Sequence, residues 1–238
     1  MPYELDYGPA AAAEPSERAA FIRRTYSHLA GAILAFIALE VGLFFVIDHT
    51  IGREEILKVL LLSQWSWLVV LLAFMGASYL AQYWARSQAS AALQYAGLGL
   101  YVVAEAVIFL PLLILAAEYS GPNVIPTAGI LTLATFGGLT VTVFVTRKDF
   151  SFLAPILSVG SMIALGLIVV AIFVQFDLGV LFAAAMVVLM SGYILYYTSN
   201  VMHHYRTDQH VAAALALFAA VATLFWYILQ IVMRMNRR

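Results

Sequence analysis

The sequence predicts an all-α integral membrane protein of seven transmembrane helices, with the last helix at the centre of the bundle. Of the 238 residues, 64% are hydrophobic and only 11% are charged, whereas soluble domains are about half apolar and a quarter charged. The apolar residues form runs of roughly 20, the length that a helix needs to cross a hydrocarbon core. A transmembrane β-barrel would instead show short segments of alternating apolar and polar residues, and the sequence has no such alternation.

The seven predicted spans follow the apolar runs in chain order. The first twenty residues contain acids and prolines but no apolar core of signal-peptide length, so residues 1–20 are expected to form a disordered tail. The transmembrane domain is expected to cover residues 21–233, and residues 234–238 to form a short basic tail. The spans within the domain are residues 21–47, 65–84, 91–116, 127–145, 152–176, 178–199 and 211–233.

Polar residues and turn formers separate these spans. Charged residues at 48–58 follow the first span, and tryptophans near both ends of the second suit an interfacial aromatic belt. Gly121 and Pro122 lie in the loop after the third span, and residues 146–149 break the apolar pattern after the fourth. Asp177 and Gly179 form a turn so short that the fifth and sixth spans must be an antiparallel hairpin, and the polar residues 203–210 precede the last span.

The last span has an alanine pattern that predicts a central position. Ala212, Ala216 and Ala220 recur every four residues, and further alanines broaden this stripe. Small residues let helix backbones approach closely in lipid, where the hydrophobic effect does not drive helix association. We therefore expect other helices to surround this one.

The distribution of lysine and arginine indicates a cytoplasmic N-terminus. With seven spans, alternate connections lie on opposite sides of the membrane, and the two sides carry unequal numbers of cations. The side of the N-terminus has Arg18, Arg23, Arg24, Arg86, Arg147, Lys148 and Arg206; the other has Arg53, Lys58, Arg234, Arg237 and Arg238.

Two carboxylates at membrane depth, Glu105 and Glu40, are the candidate functional residues. Glu105 is roughly 21 Å from the start of the third span and Glu40 roughly 27 Å along the first, counting ~1.5 Å per residue. No lysine or arginine lies at comparable depth, so burial favours the protonated acids. An ion pathway with Glu105 as its main titrating group and Glu40 as a second is one interpretation. The alternative is that each acid bonds to a backbone carbonyl and only holds helices together.

The sequence offers little for catalysis, metal binding or nucleic-acid binding. It has no cysteine, no basic stripe and a formal net charge of -1, which excludes thiolate sites and a nucleic-acid interface. His203, His204, His210 and Asp208 lie in a polar loop, where we interpret them as solvated or mildly pH-responsive rather than as a metal site. We see no hydrolase, metalloprotease or phosphate-binding motif, and expect no enzyme activity, catalytic residue, metal or cofactor.

Several segments resemble the Bax inhibitor-1 family, in the manner of its bacterial members. They are TRKDFSFLAPIL (146–157), GYILYYTSNVMHHY (192–205) and AALALFAAVATLFWYILQI (213–231), with weaker likeness in FIRRTYSHLAGAILAF (21–36) and FLPLL (109–113). The resemblance implies a seven-helix fold whose last helix is wrapped by the other six. It also implies functions in calcium leak, pH-dependent gating, protection from stress-induced death and, in bacterial relatives, modulation of a membrane protease.

The sequence departs from this family at its pH-sensing aspartate pair. The pattern resembling ILYDTS has Tyr197 in place of the first aspartate, and the one resembling LYLDIINLF has Ala220 in place of the second. A phenol that ionises near pH 10 and a methyl group cannot share protons or an ion as two carboxylates do. Either the titrating site has moved to Glu105 and Glu40, or the protein does not conduct and retains the scaffold for protein contacts.

These observations lead to three functional hypotheses. The first is slow, pH-dependent passage of calcium or protons through a multi-pass protein of the bacterial inner membrane. The second is a non-conducting regulator that binds another membrane protein, such as a membrane-bound protease. The third, a solute permease, is the weakest because the sequence has no inverted repeat or paired broken helices.

Overall fold

The computed structural model describes residues 9–61, 64–87 and 90–236, and that part of the chain is almost entirely helical. Seven of its helices are long and apolar enough to cross a membrane, and α2 is too short to do so. A 3-10 turn at Ser151–Leu153 precedes α6. The helices are α1 (Pro15–His49), α2 (Arg53–Leu61), α3 (Gln64–Ala85), α4 (Ala91–Tyr119), α5 (Val124–Thr146), α6 (Ala154–Val174), α7 (Gly179–His203) and α8 (His210–Asn236).

The last helix, α8, lies at the centre of the bundle, which confirms the prediction from its alanine pattern. In its most apolar 18-residue window, 72% of the residues are buried, against 50% for α4 and 22% or less for the other spans. Ala213, Ala214 and Leu217 are fully buried. Because alanine side chains are short, neighbouring helices approach the α8 backbone from several directions.

A cluster of aromatic rings joins α1, α4 and α8 in the core. Phe36 of α1 lies edge-on to Phe109 of α4 at 5.2 Å and to Phe218 of α8 at 6.2 Å between ring centroids. Phe109 also stacks on Phe225 at 5.7 Å and meets Trp226 edge-on at 4.9 Å. These contacts fix the relative heights of the three helices, since large rings interlock in only a few arrangements.

The hairpin predicted from the short turn at Asp177 is formed by α6 and α7. Two polar contacts hold it within the membrane domain: the Ser161 and Tyr193 hydroxyls are 2.9 Å apart, and the Tyr193 hydroxyl donates to the Leu157 carbonyl at 3.3 Å. Such bonds satisfy polar groups that lipid cannot.

Several helix boundaries in the structure differ from those that the sequence predicts. Helix α1 begins at Pro15, inside the segment expected to be disordered, because proline suits the first turn of a helix. Before it, the Ala10 amide donates to the Tyr205 carbonyl at 2.8 Å. Residues 53–61, expected to be a polar connection, form α2, and α8 continues to Asn236, so that Arg234 is helical. Residues 1–8 and 237–238 of the predicted tails lie outside the described residues.

The packing of α3 against α4 depends on Gly97. A Cβ atom at this position would lie 2.5 Å from the Ala81 carbonyl oxygen and 2.7 Å from the Ala85 nitrogen. Both are backbone atoms, so neither can move aside as a flexible side chain would. The two helices therefore approach closely only because residue 97 has no side chain.

We expect Gly97→Ala to destabilise the protein by about 1–3 kcal/mol, the usual cost of overpacking. The measurement is thermal unfolding of the purified protein in detergent. Gly99→Ala is the matched control on the same helix, because its added Cβ atom would meet nothing within 4 Å. Equal melting temperatures for the two variants would contradict the close approach at Gly97.

Candidate functional site

Glu105 lies in the middle of α4 with its side chain turned into the bundle. The residue is only 3% exposed, because α4 is enclosed by α3 on one side and by α1 and α8 on the others. The Glu105 side chain therefore does not face lipid. Glu105 lines a partly open cavity between the helices.

This cavity has a volume of about 610 Å³ and lies between α3, α4, α6, α7 and α8. Most of its lining is apolar. The polar contributions come from Glu105, from Thr223, Tyr227 and Gln230 along α8, and from an ion pair at the end of α8. The remaining lining residues are Leu71, Phe74, Ile108, Phe109, Leu112, Ile168, Ala171, Ile172, Phe176, Leu178, Gly179, Phe182 and Trp226.

An ion pair between Asp177 and Arg234 lies at the mouth of the cavity. The Arg234 guanidinium donates to the Asp177 carboxylate at 2.5 Å, and the Gly179 amide donates to the same oxygen at 3.0 Å. The hydrogen bond from Arg234, followed by the amide, lowers the pKa of Asp177. Both side chains are partly exposed. The pair connects the α6–α7 turn to the end of α8, on the side of the bundle away from the N-terminus of α1.

Neither residue of this pair is predicted to be functional from the sequence. The sequence indicates only that Asp177 is a turn residue and that Arg234 belongs to a basic tail. A detectable signal exists in the sequence, since an acid in the α6–α7 turn and a base at the end of the last span belong to the same side of the membrane. Only the packing of the hairpin against α8 shows that they touch.

Among the described residues, the group that interacts with the Glu105 carboxyl is a phenol, and no cation contacts it. Tyr101, one helical turn earlier on α4, interacts with the carboxyl group, and Tyr197 of α7 lies within electrostatic range of Tyr101. Within the described ranges, the ion pairs of the protein involve other acids. Glu105 is therefore an acid without a counter-charge, as its sequence position indicated.

Glu40 is also buried, but the structure does not bring it to Glu105. It is 6% exposed, and neither carboxyl oxygen has a hydrogen-bond partner among the described residues. Phe36 of α1 contacts Phe109 of α4, so these two residues lie at similar heights in the bundle. Glu40 follows Phe36 by four residues, and Glu105 precedes Phe109 by four residues. Because α1 and α4 run in the same direction, the two acids are about 12 Å apart along the bundle axis. Glu40 does not line the 610 Å³ cavity.

The two positions where the family resemblance expects aspartate hold no carboxylate. Ala220 is 3% exposed on the central helix. Tyr197 is half-buried in a cluster of phenol rings, 5.5 Å from Tyr193 and 5.3 Å from Tyr196 between centroids. This cluster lies toward the end of α7 on the N-terminal side of the bundle.

A different carboxylate lies near the end of α7. Asp149, in the connection before α6, contacts the His204 ring nitrogen at 2.9 Å and the Ser199 hydroxyl at 3.3 Å. The backbone amide of Ser151, followed by the hydrogen bond with His204, lowers the pKa of Asp149 to about 2. Asp149 is therefore ionised at neutral pH and ties the α5–α6 connection to α7.

The histidines of the polar loop do not form one group in the structure, and one of them packs against a histidine of α1. His203 ends α7 with its Nδ1 atom 3.0 Å from the Ser199 carbonyl, whereas His210 begins α8. His210 lies beside His28, with ring centroids 5.0 Å apart and the Tyr95 hydroxyl in contact with both rings. Sequence spacing did not predict this group. The part of the chain that the structure describes has no cluster of three potential metal ligands.

The fold and the buried acids define a multi-pass α-helical membrane protein with a polar group sheltered inside its bundle. Residues 18–238 match the family model described as "Inhibitor of apoptosis-promoting Bax1". The chain therefore belongs to the Bax inhibitor-1 family, as the sequence motifs predicted.

Relatives of this chain occur in plants and bacteria. It is 29% identical to protein LIFEGUARD 4 of Arabidopsis thaliana over 91% of this chain and 85% of that protein. An uncharacterized Pseudomonas aeruginosa protein is 34% identical over 47% of this chain, and the matching region spans only half of that relative. The Escherichia coli protein named modulator of FtsH protease YccA is 34% identical over 37% of this chain and 41% of its own length.

We predict that the cavity is reached by water-soluble reagents. The chain has no native cysteine, so a single introduced cysteine can be labelled without background. Thr223→Cys, which lines the cavity, should react with a small charged thiosulfonate markedly faster than Ala214→Cys, a fully buried position on the same helix. Equal labelling rates would contradict an accessible cavity.

Proposed function

We propose that this protein permits slow, pH-dependent passage of cations, calcium or protons, across the membrane. Glu105 is the principal titrating group and Glu40 a secondary one. The observation that supports this most directly is the position of Glu105, an acid without a counter-charge at the wall of a 610 Å³ cavity. Acids at membrane depth are costly to insert and most often face the bundle interior and serve a function.

The proposed route has a wide and a narrow part. Ions enter past Asp177 and Arg234 and reach Glu105 through the cavity. Beyond Glu105, toward the N-terminal side of the bundle, the route meets Tyr101 and then the phenol cluster around Tyr197. The cavity leads to Glu105, and the tyrosines form the constriction that keeps the flux slow.

The pH dependence follows from the charge of Glu105. When the acid releases its proton, the carboxylate attracts a cation; when it is protonated, this attraction is lost. The titratable groups facing it among the described residues are Tyr101 beside it, Tyr227 across the cavity, and the Asp177–Arg234 pair at the mouth. The tyrosines remain neutral over the physiological range, so Glu105 determines the response.

The proposed orientation places the N-terminus in the cytoplasm. The mouth at Asp177 and Arg234 then faces the outside of the inner membrane. The excess of lysine and arginine on the N-terminal side supports this orientation.

We expect Glu105→Gln to reduce calcium flux into proteoliposomes about tenfold or more, because it removes the charge that attracts the ion. The wild-type flux should rise between about pH 5 and about pH 8, and the variant should lose this dependence. Glu40→Gln is the matched comparison, because Glu40 is equally buried but does not line the cavity. As the secondary group, it should reduce the flux by less than Glu105→Gln does. A flux that Glu105→Gln leaves unchanged at every pH in this range would refute the assignment.

A second candidate function is that of a non-conducting regulator of a membrane-bound protease. The observation that favours it is the likeness to the protein named modulator of FtsH protease. The replacement of the family's aspartate pair by Tyr197 and Ala220 also fits a scaffold that no longer conducts.

This second function predicts a stoichiometric partner. Affinity purification from mild detergent should recover a membrane protease with the protein, while the protein alone gives no flux in liposomes. The same purification with an unrelated tagged membrane protein is the control for nonspecific capture. Flux from the purified protein without a partner would argue against this function.

A further inference from the structure

The cavity beside Glu105 has a lining that is unusual for a site that binds only a hydrated inorganic ion. Aromatic side chains come from four helices and from the α6–α7 turn; they are Phe74, Phe109, Phe176, Phe182, Trp226 and Tyr227. A hydrated calcium ion prefers several oxygen ligands, and the cavity offers few. These aromatic residues, here called the aromatic wall, therefore favour a ligand with an apolar part.

The charges of the cavity indicate the sign of this ligand. At the mouth, Asp177 and Arg234 neutralise each other at 2.5 Å. Glu105 is 3% exposed and has no cationic partner among the described residues. The ionised cavity thus carries one uncompensated negative charge, and its lining includes aromatic rings, a residue type that also attracts cations.

We propose that this cavity binds an amphipathic organic cation, with its ammonium group at Glu105 and its apolar body against the aromatic wall. Three interactions then act together: charge pairing with the carboxylate, cation–π contact with the rings, and burial of apolar surface. The volume of about 610 Å³ falls within the range of small-molecule sites, roughly 300–1,000 Å³. The site uses the same acid as the proposed ion pathway, but its occupancy does not require that any ion crosses the membrane.

Binding of such a cation is linked to release of a proton. The ammonium group is attracted by the carboxylate and not by the neutral acid, so any protonated fraction of Glu105 must ionise on binding. Affinity should therefore fall as the pH is lowered, whereas that of a neutral ligand should not change.

The test uses the full-length protein in lipid nanodiscs and isothermal titration calorimetry. The probe is trimethyl(3-phenylpropyl)ammonium, and its control is the neutral isostere in which carbon replaces nitrogen. We expect the wild type to bind the ammonium about tenfold more tightly than the isostere, and Glu105→Gln to abolish this difference. The binding enthalpy of the ammonium should depend on the ionisation enthalpy of the buffer in the wild type and not in Glu105→Gln.

Two further variants keep the test decisive. Glu40→Gln should bind like the wild type, since it removes a buried acid that is outside the cavity. Phe182→Leu retains Glu105 and should weaken binding of the ammonium severalfold more than that of the isostere, because it removes one aromatic face. This variant serves as the test if Glu105→Gln does not fold.

Equal affinities of the wild type for the two probes would overturn the proposal and indicate an apolar site, such as one for a lipid chain. Absence of binding of the ammonium at millimolar concentration would also overturn it. Binding is measured without an ion gradient, so a protein that binds the probe but shows no flux would refute the proposed ion passage and leave this site intact. Flux without probe binding would refute this binding site and leave the proposed ion passage intact.

Discussion

Lipid hydrocarbon provides no hydrogen-bond partners and no solvation for charge, and this constraint determines most of the structure. The chain meets this constraint first by forming helices, which satisfy their own backbone hydrogen bonds, and then by packing the helices closely around α8. The packing needs short side chains where backbones meet, as at Gly97 and along the alanines of α8. A central helix that is surrounded on most sides creates an interior in which an acid is sheltered from lipid.

Glu105 and Glu40 occupy this interior in different ways. Glu105 faces a cavity with polar groups along α8 and an ion pair at its mouth. Glu40 is enclosed on α1 with no hydrogen-bond partner for either oxygen among the described residues. Because they are about 12 Å apart along the axis, they do not form a coupled pair like the family's two aspartates. Tyr197 has a neutral phenol at the position where the family resemblance expects the first aspartate.

Side-chain contacts at the two ends of the bundle connect elements that are far apart in sequence. At one end, Asp177 and Arg234 join the α6–α7 turn to α8; at the other, Asp149 and His204 join the α5–α6 connection to the end of α7. Each aspartate accepts a backbone amide as well as its side-chain partner, which stabilises the ionised form. One pair joins the turn of the α6–α7 hairpin to α8, and the other joins the two open ends of the hairpin to each other.

The sequence by itself determined the seven spans, the central position of α8 and the burial of Glu105, because each follows from local composition. A long apolar run must be a helix in lipid, a stripe of alanines must face other helices, and an unpaired acid at depth must turn inward. The start of α1 at Pro15 and helix α2 were missed, since polar residues near a membrane surface do not distinguish helix from coil. Only the tertiary structure decided the aromatic cavity, the Asp177–Arg234 pair, the separation of Glu40 from Glu105 and the meeting of His28 with His210. Each of these depends on the relative rotation and height of helices, which are determined by interlocking side chains such as Phe36, Phe109 and Phe218 and not by any single segment of the chain.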